Sequence, residues 1–159
     1  LKVLVTGGAG FIGSNLANCL AARGEEVSAL DDYSLGVPEN LDGSVEAIRG
    51  SVTDRDAVLR AVKASDVVYH LAAKSSATMI DDDPVLGQEI NVGGFLNVLE
   101  AARKSGVRSV VYASTSSMYS GVRPPHREDA VIVPRTLYEQ NFFAREHIGY
   151  IYSKNYGLR

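Results

Sequence analysis

The sequence predicts an α/β fold: a doubly wound parallel sheet with helices on both faces, a three-layer αβα arrangement. Three observations predict it. Short apolar runs alternate with longer segments of helical apolar spacing along all 159 residues. The first run, residues 1–5, passes straight into Thr6-Gly7-Gly8-Ala9-Gly10-Phe11-Ile12-Gly13, with Gly7, Gly10 and Gly13 three residues apart. The fourth run, residues 66–73, is apolar on both faces, as a strand between two helix layers must be.

The first strand and its glycine turn form the stretch with the plainest chemistry. A pyrophosphate must approach the backbone closely enough to accept hydrogen bonds from the free N–H groups of a helix's first turn. Gly7 suits the tight turn, Gly10 leaves room for the phosphates, and Gly13 lets helix and strand pack closely. The turn therefore predicts dinucleotide binding, and the absence of Gly-Lys-Ser/Thr excludes a nucleoside-triphosphate P-loop. Residues 14–23 carry Leu16, Ala17, Leu20 and Ala21 at helical spacing, with Gly24 as the stop. A second strand over residues 27–30 ends at Asp31-Asp32, 18 residues beyond Gly13. A carboxylate there accepts both hydroxyls of an adenine ribose and repels a 2′-phosphate, which favours NAD over NADP. Asp31 is preferred because it directly follows the strand.

Residues 33–43, rich in Gly, Pro, Asn and Asp, read as a loop. A third strand is expected over 45–48, then a helix from Asp54 with Ala57, Val58, Ala61 and Val62 inward. In the fourth strand, residues 66–73, His70 reads as a buried structural histidine, and Ala72 and Ala73 suit either a close ligand or tight packing. Residues 81–84 break the pattern before one long helix carrying Ile90, Val92, Leu96, Val98, Leu99 and Ala102, ended by Gly106. A fifth strand over 107–113 delivers Ser114-Thr115-Ser116-Ser117-Met118-Tyr119 at its carboxyl end. After the prolines Pro124, Pro125 and Pro134, residues 135–156 form the last helix, with Tyr138 near its start. In a sheet of this kind the ligand crevice lies outside the carboxyl ends of the strands, where all these candidates fall.

Composition bounds the rest. Apolar residues make up 45% and charged residues 22%, enough for one domain over residues 1–159 with a sizeable core. A net charge of −3 without a Lys/Arg run argues against nucleic acid or an anionic membrane as partner. The single cysteine, Cys19, is expected in the core and makes no disulfide, in keeping with a cytoplasmic location. No apolar run reaches the roughly 18 residues of a membrane span. The chain begins without methionine and stops at Tyr156-Gly157-Leu158-Arg159, where another strand is due, so a domain cut before a further carboxyl-terminal portion is expected.

As an ordered set, Thr6 to Gly13, Leu30-Asp31-Asp32, His70-Leu71-Ala72-Ala73, Asn91-Val92, Ser114 to Tyr119 and Tyr156-Gly157-Leu158 resemble the extended short-chain dehydrogenase/reductase family. Within it they are most similar to the NAD-dependent epimerases and dehydratases of nucleotide sugars, of the UDP-glucose 4-epimerase type. The resemblance implies a Rossmann-like domain with NAD along Gly7, Gly10, Phe11, Ile12, Gly13, Asp31, Asp32, Leu71, Ala72 and Ala73, and with Asn91 supporting the site through its helix. It further implies that Tyr138, helped by Thr115, removes a proton from a sugar hydroxyl while the sugar hydride moves to NAD. The keto-sugar is then re-reduced or dehydrated. The implied substrate is a nucleotide sugar, a UDP-hexose first of all, and no metal is called for. Family members often dimerise through the tyrosine helix, and Phe142 and Phe143 fit such an interface or the core.

Two departures stand out. The family places a lysine four residues after its tyrosine, on the same helix face, and here that place holds Phe142. A literal pair, Tyr150 and Lys154, occurs 12 residues later, about 18 Å and roughly 120° further along the helix, so only one pair can face the cofactor. The family spacing to Tyr156-Gly157-Leu158 and the glutamate at Glu146 select Tyr138. Arg145, two turns on, reads as too distant to replace the lysine. Ser51 stands where the family commonly has an aspartate that holds adenine. Two other readings stay open: a non-catalytic NAD-binding module that has lost the lysine, and a reductase of the same fold acting on a non-sugar substrate.

Overall fold

Strands β1 (Lys2–Thr6), β2 (Glu26–Asp31), β3 (Glu46–Arg49), β4 (Val67–His70) and β5 (Ser109–Tyr112) form one sheet in a computed structural model that describes residues 1–159. All pairs are parallel and the order is β3-β2-β1-β4-β5. The helices are α1 (Phe11–Ala22), α2 (Arg55–Val62), α3 (Ala77–Asp82), α4 (Pro84–Gln88), α5 (Phe95–Ser105) and α6 (Leu137–Tyr156). Period-two alternation divides the central strand between two cores. Leu4 joins Leu30, Val58, Val68, Phe95 and Leu99 on one face, while Val3 and Val5 join Ala17, Val27 and Ala29 on the other. The chain leaves β1 for β2 and β3 on one side, then crosses back to β4 on the other. The order thus reverses between β1 and β4, where a crevice opens at the strands' carboxyl ends.

Three expectations are corrected. The fourth strand ends at His70, so Leu71, Ala72 and Ala73 lie in the loop beyond it. The ladder stops because side chains take over: the Leu71 N–H still donates to the Thr6 carbonyl at 3.0 Å, but the Ala72 N–H donates to the Thr6 hydroxyl at 3.4 Å. The long helix expected before Gly106 is three pieces, α4, a π-helical turn Glu89–Gly94 and α5, preceded by the unexpected α3. Gly94 closes that wider turn against Val52, where a Cβ would stand 2.5 Å from Val52 Cγ2. Cys19 is exposed, because α1 turns Gly13, Ser14 and Ala17 toward the sheet and carries Cys19 off that face. His70 is fully buried, with Nδ1 2.8 Å from the Thr6 hydroxyl.

The helix that carries Tyr138 is fixed at both ends. Thr136 accepts from the Glu139 N–H at 3.1 Å, and the Glu139 carboxylate reaches back to the Arg135 N–H at 2.6 Å and to Ser120 Oγ at 3.0 Å. Gly157, at φ 69°, ends α6 in the left-handed conformation, after which the Arg159 carbonyl accepts from the Val110 N–H of β5 at 2.7 Å. No helix is long and apolar enough to cross a membrane.

Candidate active site

The crevice is a cleft of about 510 Å³ running from the glycine turn, past the loop after β4, to the face of α6. Gly7, at φ +67°, donates its N–H to the Leu30 carbonyl at 2.8 Å, and a Cβ on it would meet the Ala72 nitrogen at 2.7 Å. Gly10 lines the cleft, and the only atom near its missing Cβ is the Gly7 carbonyl at 3.3 Å, so a side chain there would fill the space in front of α1. That helix starts with no side-chain cap and no acidic residue in its first turn. Its first N–H groups and the positive end of its dipole therefore face the cleft, a ready anion site. Phe11 and Ile12 form the rim, 85% and 67% exposed. These features fit a dinucleotide.

Asp31 stands at the far side of the turn and is only 8% exposed. One carboxylate oxygen accepts from the Ala9 N–H at 2.9 Å and the other from the Tyr33 N–H at 2.8 Å. Each oxygen keeps a second lone pair for a ligand hydroxyl. Asp32 also borders the cleft, with an oxygen on the Ser34 N–H at 2.9 Å. The loop beyond folds over the turn: the Val37 N–H and the Asn40 side-chain amide both donate to the Ala9 carbonyl, at 3.2 and 2.9 Å. It adds Leu35 and Gly36 to the wall, residues that a loop reading could not assign. Ser51 lines the same end, its hydroxyl 2.9 Å from that of Thr53.

At the other end, Leu71, Ala72, Ala73, Lys74, Tyr138 and Phe142 converge. The Tyr138 and Phe142 rings lie 4.9 Å apart. Tyr150 is 63% exposed and borders a different groove, so α6 turns the 138/142 face to this cleft. Asn91 does not line the cleft. It is buried behind it, accepting from the Lys74 N–H at 2.8 Å and donating to the Lys74 carbonyl at 3.1 Å, which holds the loop in place. Thr115 also stands back from the wall, half-buried, its oxygen accepting from the Ser117 N–H at 3.2 Å, whereas Ser114 lines the wall and donates to Glu146 at 2.5 Å. Lys74, the one lysine or arginine on the wall, had no motif to mark it.

Residues 3–159 match the NAD dependent epimerase/dehydratase family. The chain belongs to that family. It is 37% identical over 166 residues to a UDP-glucose 4-epimerase of Mycolicibacterium smegmatis, a match covering 99% of this chain and 53% of the relative. Its fold superposes with a TM-score of 0.94 and 40% identity on the Thermus thermophilus UDP-glucose 4-epimerase in complex with NAD, covering all of this chain and 53% of that one. The UDP-glucose 4-epimerase of Thermotoga maritima with UDP-glucose gives a TM-score of 0.95 at 30% identity, over 99% and 53% of the two chains. The chain thus spans about half the length of these relatives.

In this epimerase/dehydratase domain the place after Tyr138 where the family resemblance calls for lysine is apolar, yet a cation lies close behind it. Arg145 is 1% exposed, and its Cζ stands 4.8 Å from the Phe142 ring and 5.0 Å from the Phe95 ring. None of its three guanidinium nitrogens has a hydrogen-bond partner. Burial pulls its pKa down to about 10, opposed by Tyr112 and Tyr138, so it is charged at neutral pH. Phe142 is the shared neighbour of Tyr138 and Arg145, its ring 4.9 Å from that of Tyr138 and 4.8 Å from the Arg145 guanidinium carbon. His70, beside Phe95 at 5.4 Å between rings, is held well below the usual histidine range, by burial first and then by Arg145, and is neutral.

Proposed function

We propose that this chain is the cofactor domain of an NAD-dependent nucleotide-sugar epimerase or dehydratase, acting on a UDP-hexose. The observation that carries the reading is the convergence, in one cleft, of an open helix N-terminus behind Gly10, the carboxylates Asp31 and Asp32, and the Tyr138 hydroxyl-bearing ring. The N–H groups after Gly10 hold the pyrophosphate. Asp31 takes the adenine-ribose hydroxyls with its free lone pairs, and its charge rejects a 2′-phosphate. Leu71, Ala72 and Ala73 present small surfaces to the dinucleotide, and Asn91 keeps their loop in register through Lys74. NAD held by these residues would supply a reversible hydride acceptor for the sugar carbon. Tyr138 removes the proton of the reacting hydroxyl. The Thr115 hydroxyl, set back from the wall, only accepts from Ser117 and so keeps its own proton free for a sugar oxygen that reaches it, while that of Ser114 is committed to Glu146. The relatives' remaining length is the natural place for the groups that hold the sugar nucleotide, with residues 1–159 serving as the dinucleotide half.

The test is the absorbance near 340 nm of the longest natural form loaded with NAD and given UDP-glucose or UDP-galactose, with Tyr138→Phe beside it. A rise that disappears in the variant is expected. A flat trace in the wild type with NAD bound would remove these sugars as substrates and leave a dinucleotide-binding module.

A further inference from the structure

The cleft continues beyond Asp31 to the turn after β3, where Gly50, Ser51 and Val52 line its wall. β3 is the outer neighbour of β2, and the Gly50 N–H donates to the Asp31 carbonyl at 2.9 Å, which fastens this turn to the strand end that carries the carboxylate. It is held from two more sides. The Asp54 N–H donates to the Ser51 carbonyl at 3.1 Å, and the Asn97 side-chain amide of α5 donates to the carbonyls of Val52 and Thr53 at 3.0 and 3.4 Å. Of the three wall residues only Ser51 carries a hydrogen-bonding side chain. Its oxygen accepts from the Thr53 N–H at 3.2 Å and lies 2.9 Å from the Thr53 hydroxyl, a pair in which either can be the donor. A hydroxyl has one proton and two lone pairs. When Thr53 donates, both lone pairs of Ser51 are taken and its proton is free for a ligand acceptor. When Ser51 donates, one lone pair stays free for a ligand donor. The pair thus presents either character to the cleft by turning two O–H bonds, with no movement of the backbone. A carboxylate, which only accepts, has no such freedom.

We propose that Ser51, paired with Thr53, makes this site indifferent to the 6-substituent of the purine, so that a dinucleotide with a 6-oxo base is held as well as one with a 6-amino base. This rests on the reading of the cleft as a dinucleotide site with its ribose on Asp31. A pyrophosphate at Gly10 and a ribose at Asp31 leave the base for the space beyond, which Ser51 borders. A 6-amino group there donates to the free lone pair, and a 6-oxo group accepts the free proton. Neither base strands a buried polar group, and stranding one is what strong discrimination between such ligands depends on. Ser34, exposed on the loop after β2, is the rival hydroxyl on this part of the wall.

The test needs no turnover. The longest natural form is titrated calorimetrically with NAD and with nicotinamide hypoxanthine dinucleotide, whose purine carries oxygen in place of the 6-amino group. The wild type is expected to bind the two within about threefold of each other. Ser51→Ala should weaken both by a similar factor, about three- to tenfold, and Ser51→Thr, which keeps the hydroxyl, should bind both like the wild type. Ser51→Asp should favour NAD by about tenfold or more, because the carboxylate accepts from the amino group and repels the oxo group. Thermal unfolding of each variant confirms that it is folded. A wild type that favours either dinucleotide by more than about tenfold overturns the proposal. So does a Ser51→Ala chain that binds both unchanged, or a loss that appears in Ser34→Ala instead. A wild type that binds neither dinucleotide removes the dinucleotide reading itself, whereas one that binds NAD alone leaves that reading standing and removes this one.

Discussion

Single residues decide whether the cleft binds anything. Gly10→Val places a branched side chain where only the Gly7 carbonyl stands near. NAD affinity by calorimetry is expected to fall at least tenfold, about 1.4 kcal/mol, with the thermal midpoint nearly unchanged. His70 sets an acid limit on the fold. Burial depresses its folded pKa, so the unfolded chain binds a proton that the folded chain refuses. The stability is full above the unfolded value of 6.5 and is lost as pH falls toward the folded one. Urea unfolding should show a loss of about 2 kcal/mol between pH 8 and pH 5, a window above the carboxylate range, and His70→Leu should flatten that slope. Gly7, Gly10 and Asp31 were legible because their meaning lies in local spacing along the chain. Arg145, Lys74 and Cys19 were not, because what matters for each is what the other elements bring beside it or turn away from it.

Elements position these residues through a few side-chain bonds. Thr136→Ala removes the cap on α6 and should cost about 1 kcal/mol in chemical unfolding, with a larger loss of turnover than of NAD affinity, since only the end near Tyr138 loosens. Asn91→Leu leaves the Lys74 N–H and carbonyl without partners and should cost about 2 kcal/mol or more. NAD affinity should fall with it, as the loop after β4 loses its register. The five strands and the alternation of layers were legible because buried parallel strands and amphipathic helices leave different periodicities. The π-helical turn was not: one inserted residue changes the hydrogen bonds while the apolar spacing on either side still reads as helix. The end of β4 was missed for a related reason, since Leu71, Ala72 and Ala73 are as apolar as a strand, but the Ala72 N–H turns to the Thr6 hydroxyl and the Lys74 N–H just beyond them to the Asn91 side chain.

At the scale of the molecule, the sheet is well covered at its centre and less so at its outer strand β5. β5 pairs with β4 along one side, and on the other meets only the Arg159 carbonyl. Val111, in the middle of that strand, is 48% exposed. An outer strand with an exposed apolar side chain promotes self-association, so Val111→Lys should lower the scattering of concentrated solutions of residues 1–159 with little change in the unfolding midpoint. The site shows the opposite character, since its walls are tied to each other. Ala9 is bonded to Asp31, Val37 and Asn40, Asp31 also to Tyr33, and Gly7 sits against Ala72. The carboxylate expected to choose between NAD and NADP is therefore also the rivet between two loops. Changing preference at Asp31 alone would weaken the grip on both dinucleotides, and a route to NADP has to replace the rivet before it can replace the charge.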